Sequence, residues 1–156
     1  MKFSSLIILS PLVYAVHHFE EHIIFNFREW RLKYFLDNNQ FSTEEMLIRL
    51  MIMSLVLIFF YTVRQNRASA HLVLFFLMTT QVVNAIFHVF FSLWYQDFSP
   101  GTITGVLLYL PTNFLIVRAA LQERYLYNFY EAVLLFIAGA IAFTLFELLG
   151  PKLMVF

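Results

Sequence analysis

An all-α bundle embedded in a membrane is the fold this sequence predicts, and three observations predict it. The 156 residues are 61% hydrophobic and only 13% charged, against roughly 25% charged in an ordinary soluble domain. The apolar residues gather near 3–25, 46–63, 71–95, 102–121 and 129–149, each about 18 to 25 residues long, the length of helix that crosses bilayer hydrocarbon. The connections between the later stretches are short and polar, which forces antiparallel neighbours. Five spans in one domain, 1–156, are expected.

The first stretch runs from Phe3 to Phe25, broken only by Ser4, Ser5, Ser10, Pro11 and the cluster His17-His18-Phe19-Glu20-Glu21-His22. Small residues near Ala15 resemble a leader-cleavage site. The apolar run continues past them, so the segment reads as a retained span. In the following connection Phe27, Trp30, Tyr34 and Phe35 alternate with Arg28, Arg31 and Lys33, the pattern of a short amphipathic helix lying in the interface. It is expected to end at Asp37-Asn38-Asn39. Ser42-Thr43-Glu44-Glu45 then supplies hydroxyl caps and first-turn acids for the second span. Arg64 to Arg67, Gln96 to Gly101 and Gln122 to Arg124 join the remaining spans. Pro111 removes the donor for the Leu107 carbonyl and predicts a kink in the fourth. Ala138, Gly139, Ala140 and Ala142 give the fifth a small-residue face for close helix contact.

Composition also excludes classes of function. Formal net charge is zero and no basic block exists, so a nucleic-acid partner has no electrostatic footprint. Without cysteine, disulfide and thiolate chemistry are excluded. No internal repeat is evident, and no residue specifies an oligomeric state.

Five spans place the two ends of the chain on opposite sides, A for the N-terminal side and B for the other. Lys2, Arg64, Arg67, Arg118 and Arg124 fall on side A; Arg28, Arg31, Lys33, Arg49 and Lys152 fall on side B. The count is balanced, and the short basic loop Arg64 to Arg67 then predicts a cytoplasmic side A, with the N-terminus.

Ionisable groups inside a membrane cost several kcal/mol each unless paired or wetted, and mark a functional site by default. On a helix His17, Glu20 and Glu21 share a wedge of roughly 100°. His18 and His22, four apart, make a second pair on the adjoining flank, with Glu21 near enough to serve either group. At about 1.5 Å per residue, His17 lies roughly 12 Å inside the B end of the first span, and His88 roughly 10 Å inside the same end of the third. Gln81, Asn84 and His88 fall within about 60° on that third helix. Tyr109 and Asn113 make a weaker stripe on the fourth. Glu147 and the stretch Ser99 to Thr104 belong to the same layer, whereas His71 lies at the A-side boundary.

The set His17-x-x-Glu20-Glu21, Asn84-x-x-x-His88 and Ser99-Pro100-Gly101-x-x-Thr104 resembles the HXXEE domain family over most of the chain. The resemblance implies a small multi-pass membrane protein, thought of as an enzyme but without an assigned reaction. It takes His17 as the first histidine of the motif and pairs it with Asn84 and His88.

Two imidazoles and one or two carboxylates from different helices are what Zn²⁺ and non-haem Fe²⁺ sites use. His17, Glu21 and His88 are the candidate ligands for one divalent ion. Glu20 is then either a general base or a supporting group, and Asn84 orients His88 or the substrate. Glu20, Glu21, His17 and Asn84 are thus the candidate catalytic residues, and Gln81, Thr104 and Tyr109 the candidate substrate contacts. Di-iron bundles carry Glu-x-x-His on each of two helices; here only the reversed His17-x-x-Glu20 occurs, so a mononuclear site is expected. The expected substrate is an apolar, lipid-like molecule dissolved in the bilayer. Two alternatives stay open. One is a metal-free isomerase or cyclase of a terpenoid or sterol-like substrate, with His17 and Glu20 or Glu21 as acid and base. The other is a proton- or cation-coupled transporter or binding protein, although such folds commonly carry repeats and broken helices.

Overall fold

The computed structural model describes residues 1–35 and 42–153; the side chains of Thr43 and 147–153 lie outside that description, and so do Asp37-Asn38-Asn39. The expectations for Glu147 and Lys152 therefore fall outside the described residues. The order is α1 (Phe3–Ile7), α2 (Leu9–Phe19), π1 (Glu20–Ile24), α3 (Phe27–Tyr34), α4 (Thr43–Arg64), α5 (Arg67–Leu77), π2 (Met78–Val82), α6 (Val83–Tyr95), α7 (Thr102–Thr104), π3 (Gly105–Tyr109), α8 (Leu110–Gln122) and α9 (Phe129–Leu153). No strand occurs among the described residues.

Four helical runs, Glu44–Arg64, Arg67–Tyr95, Thr102–Gln122 and Phe129–Phe146, are long and apolar enough to cross a membrane. The stretch 3–25 is not among them. Its helix is interrupted at Ile8, because Pro11 has no N–H for the Ile7 carbonyl. That carbonyl instead accepts from the Ser10 hydroxyl at 2.8 Å.

Three of the helical runs contain a π-turn. In π1 the Phe25 N–H reaches back five residues to the Glu20 carbonyl at 3.1 Å, and Val83 and Leu110 close the same five-residue step on Met78 and Gly105. Wide turns of this kind are uncommon and recur at functional sites. The irregularity expected at Pro111 takes this form, since π3 immediately precedes it and Pro111 sits in the first turn of α8.

The core explains why the two ends of the bundle differ. Phe3, Leu6, Ile7, Tyr61, Leu74 and Ile116 form its centre, toward the end where α1 starts and α8 finishes. Near that end the Phe3 N–H donates to Glu123 Oε1 at 2.6 Å, and the Phe3 ring lies edge-on to Tyr61 at 5.1 Å. Small residues then let backbones close in. A Cβ on Gly139 would lie 2.9 Å from Thr79 Oγ1, so α9 seats tightly on π2; one on Gly105 would lie 3.3 Å from Ala85, so π3 seats tightly on α6. The small-residue face read in the fifth stretch is therefore a packing face.

Helix α3 is short, with Asn26 Oδ1 accepting from the Glu29 N–H at 3.0 Å. Its aromatic side folds onto the C-terminal end of α6. Tyr34 stacks on Tyr95 with ring centroids 3.9 Å apart, and Trp30 is buried. The Tyr34 hydroxyl donates to Asp97 at 2.8 Å, and that bond raises its titration above the ordinary phenol range. The amphipathic pattern in the sequence thus packs its aromatic half against the protein.

Candidate functional site

The end of the bundle opposite Phe3 gathers residues from α2, π1, α6 and the turn that starts α7. Glu20 is the fastener. Its Oε1 accepts from the backbone N–H groups of Gly101 and Ile103, each at 3.1 Å. Its Oε2 accepts from the Thr104 N–H at 2.6 Å and from the Thr104 hydroxyl. A helix start leaves such N–H groups without intrahelical partners, and a carboxylate is the strongest acceptor available to them. The motif's first glutamate therefore pins the turn 99–104 against the first helix.

That arrangement fixes the state of His17. The single hydroxyl proton of Thr104 is committed to Glu20, so the 2.7 Å contact between Thr104 Oγ1 and His17 Nδ1 must be donated by the ring N–H. The lone pair of neutral His17 is left on Nε2. His88 is anchored at the same ring atom, its Nδ1 lying 2.9 Å from Ser99 Oγ. Both rings therefore turn Nε2 toward Glu21, whose Oε1 lies 3.3 Å from His17 Nε2 and 2.9 Å from His88 Nε2. Despite these separations neither Nε2 makes an aligned hydrogen bond, and both are buried.

Gly101 closes the cluster. Its φ of +99° is the left-handed region where glycine is at home. A Cβ there would lie 2.9 Å from His17 Cε1 and His88 Nε2, and 3.0 Å from Glu21 Cγ. Phe27 of α3 covers the other side of His88, ring centroids 5.1 Å apart. His17 is 1% exposed and His88 0%.

His17, Glu21 and His88 can each offer one donor atom such that all three lie within 4.8 Å of one another. Three protein ligands with a position left open is the pattern of catalytic metal sites, and hydroxyl or carboxylate support behind each ligating histidine is their usual outer shell. The donor set suits zinc or ferrous iron.

The other sequence candidates divide. Thr104 lies behind His17 as a support, not in front of it. The Tyr109 ring lies 4.2 Å from that of His17, and its buried hydroxyl has no hydrogen-bond partner. Asn84 Oδ1 is likewise buried and unpartnered. Gln81 is spent on the scaffold: its amide nitrogen donates to the Ser10 carbonyl at 3.2 Å, and its Oε1 accepts from Asn113 at 2.8 Å. Asn113 also donates to the Tyr109 carbonyl at 2.9 Å. Ser99, Gly101 and Phe27 received no individual role from the sequence. The Pro-Gly pair ahead of a helix start was the available signal for Gly101.

A family model described as a protein of unknown function with an HXXEE motif matches residues 8–116 of the chain. No curated protein and no solved structure matches it.

Proposed function

Because the chain belongs to the HXXEE-motif family, whose function is unknown, we propose from its geometry that it is a membrane-embedded enzyme acting on an apolar substrate. In this reading His17, Glu21 and His88 hold a divalent cation, zinc or ferrous iron. The observation that carries it is the pair of buried Nε2 atoms, each supported at Nδ1 by a hydroxyl, converging on one carboxylate oxygen without a hydrogen bond. A buried polar atom left unpaired costs about 1–3 kcal/mol. Sites that keep this cost are candidates for an occupant.

The metal would supply Lewis acidity and an activated water. The chain's own residues set the stage for it. Glu20 and Thr104 hold the His17 ring, and Ser99 holds His88. Glu20 acts here as a positioning residue, the supporting alternative for it, because its carboxylate already accepts from four donors. The Tyr109 hydroxyl and Asn84 Oδ1, buried and unpartnered, offer a donor and an acceptor for the polar end of a substrate. The first stretch, α1 to π1, crosses the bilayer beside the four long runs, giving five spans with α3 at the interface and the N-terminus cytoplasmic. Side chains such as Phe59, Leu134 and Phe114 are exposed and face the lipid from which an apolar substrate arrives.

A metal-free reading has one observation in its favour: Glu21 between two imidazoles at 2.9 and 3.3 Å is also an acid–base arrangement. The test is to compare lipid extracts by mass spectrometry from membranes holding wild type, Glu21→Gln, or chelator-treated wild type. A lipid species consumed only by untreated wild type is expected. Consumption that survives chelation but not Glu21→Gln selects the metal-free reading. Identical extracts from wild type and Glu21→Gln overturn the enzyme.

A further inference from the structure

Glu21 has a second oxygen, and it faces a second pair of histidines. His22 Nε2 lies 3.6 Å from Glu21 Oε2, and the rings of His18 and His22 are 4.4 Å apart. His18, Glu21 and His22 can each offer one donor atom within 4.8 Å of the others. His18 is buried and His22 half-buried. No hydroxyl or carbonyl is bonded to either ring among the described residues.

We propose that His18, Glu21 and His22 hold a second divalent cation, and that Glu21 bridges it to the ion at His17 and His88. The proposal rests on the first site being a metal site, and it replaces the mononuclear expectation with a dinuclear centre. Each ion would take two imidazoles and one carboxylate oxygen. A carboxylate bridging through its two oxygens suits the ~3.5–4 Å spacing of two-metal sites. The helix supplies the geometry: His17 and His18 sit side by side, and π1 begins at Glu20, so the widened turn carries Glu21 and His22. Three histidines within residues 17–22, joined by His88 of α6, are more than one three-ligand site requires. Ser99 and Thr104 support only the first pair, so the second ion is the weaker and more exchangeable of the two.

Purified full-length protein, dialysed to equilibrium against zinc-containing buffer and compared with the matched dialysate, tests this by element quantification. Wild type should retain about two equivalents and the double variant His18→Ala/His22→Ala about one, as expected for a two-metal site that loses one ion. His88→Ala should lose the more tightly held ion. One equivalent in wild type, unchanged in the double variant and lost in His88→Ala, overturns the second site and leaves the first standing. No retained metal in wild type overturns both. A single equivalent lost in the double variant but kept in His88→Ala overturns the first site alone. Two equivalents unchanged by the double variant overturn the assignment to His18 and His22. Manganese-loaded wild type gives a readout independent of any variant's folding: spin coupling between two ions in its electron paramagnetic resonance spectrum is expected, and a purely isolated-ion spectrum contradicts the bridge.

Discussion

At the end of the bundle where Phe3, Tyr61 and Ile116 meet, Glu131 holds Arg67 at 2.5 Å and lies 3.8 Å from His71; at the other end, the groups against Glu21 are His17, His88 and His22. Both ends contain glutamate and histidine. At the first, the charge is answered by a guanidinium, which also lies over the Tyr127 ring at 3.8 Å. His71 Nε2 sits 2.9 Å from the Tyr125 carbonyl, and the Tyr61 hydroxyl donates to that of Tyr125 at 2.9 Å. At the second, two imidazole Nε2 atoms are brought to 3.3 and 2.9 Å from a carboxylate oxygen and left without aligned hydrogen bonds. Residue type does not separate a structural His–Glu pair from a site. Completion of the hydrogen-bonding network does.

Glu21→Gln should produce the largest difference between the ends. It is expected to cut metal affinity by more than the ~10–100-fold that loss of a supporting hydrogen bond costs. The fold should survive, because the neighbours of Glu21 are imidazoles and not a cation left uncompensated. Metal titration with circular dichroism checks this; Glu21→Gln protein that binds metal like wild type would erase the contrast.

Two glycines sharpen the comparison further. Gly101→Ala and Gly139→Ala both force a Cβ to about 2.9 Å from a side-chain atom, and overpacking of this kind costs about 1–3 kcal/mol. Both should lower Tm. Only Gly101→Ala, which strikes His17 and His88, should also lose metal. If both variants retain it equally, Gly101 is no part of the site.

Thr104→Val removes the hydroxyl between Glu20 and His17 and should weaken metal binding roughly 10–100-fold, with Thr104→Ser restoring it. Wild-type binding in Thr104→Val, or loss in Thr104→Ser alone, would point to packing of the threonine methyl instead. The smallest effect belongs to the other end. Glu131→Gln should shift Tm by a few degrees at most and leave metal content at the wild-type level, since partly exposed ion pairs add little.

The meeting of His17, Glu21 and His88 was legible because helical wheel and depth are independent coordinates, and a helix fixes both from residue number. Glu20 was harder. Its wedge is that of Glu21, and only the returning turn 99–104 shows that one carboxylate caps a helix while the other faces the histidines. Gln81 shares a stripe with His88 by wheel position, yet its amide joins α2 to α8 through Ser10 and Asn113; periodicity gives a face and not a partner. The break at Ile8 and the three π-turns were hidden in part. Pro11 and Pro111 were visible, but π2 contains no proline, and the close seat of Gly139 on Thr79 beside it is a tertiary contact. Taking 3–25 as a single span with Pro11 inside it did not locate the break at Ile8, where Ser10 takes over the Ile7 carbonyl.

The most direct measurement is element quantification on purified wild type, His17→Ala, His88→Ala and His71→Ala, each equilibrated with zinc or ferrous iron and desalted. Wild type and His71→Ala should carry the same complement of metal, while His17→Ala and His88→Ala each fall short of it by at least one ion. Metal-free wild type, or His88→Ala protein with the full wild-type complement, would contradict the assignment of these buried histidines to a metal.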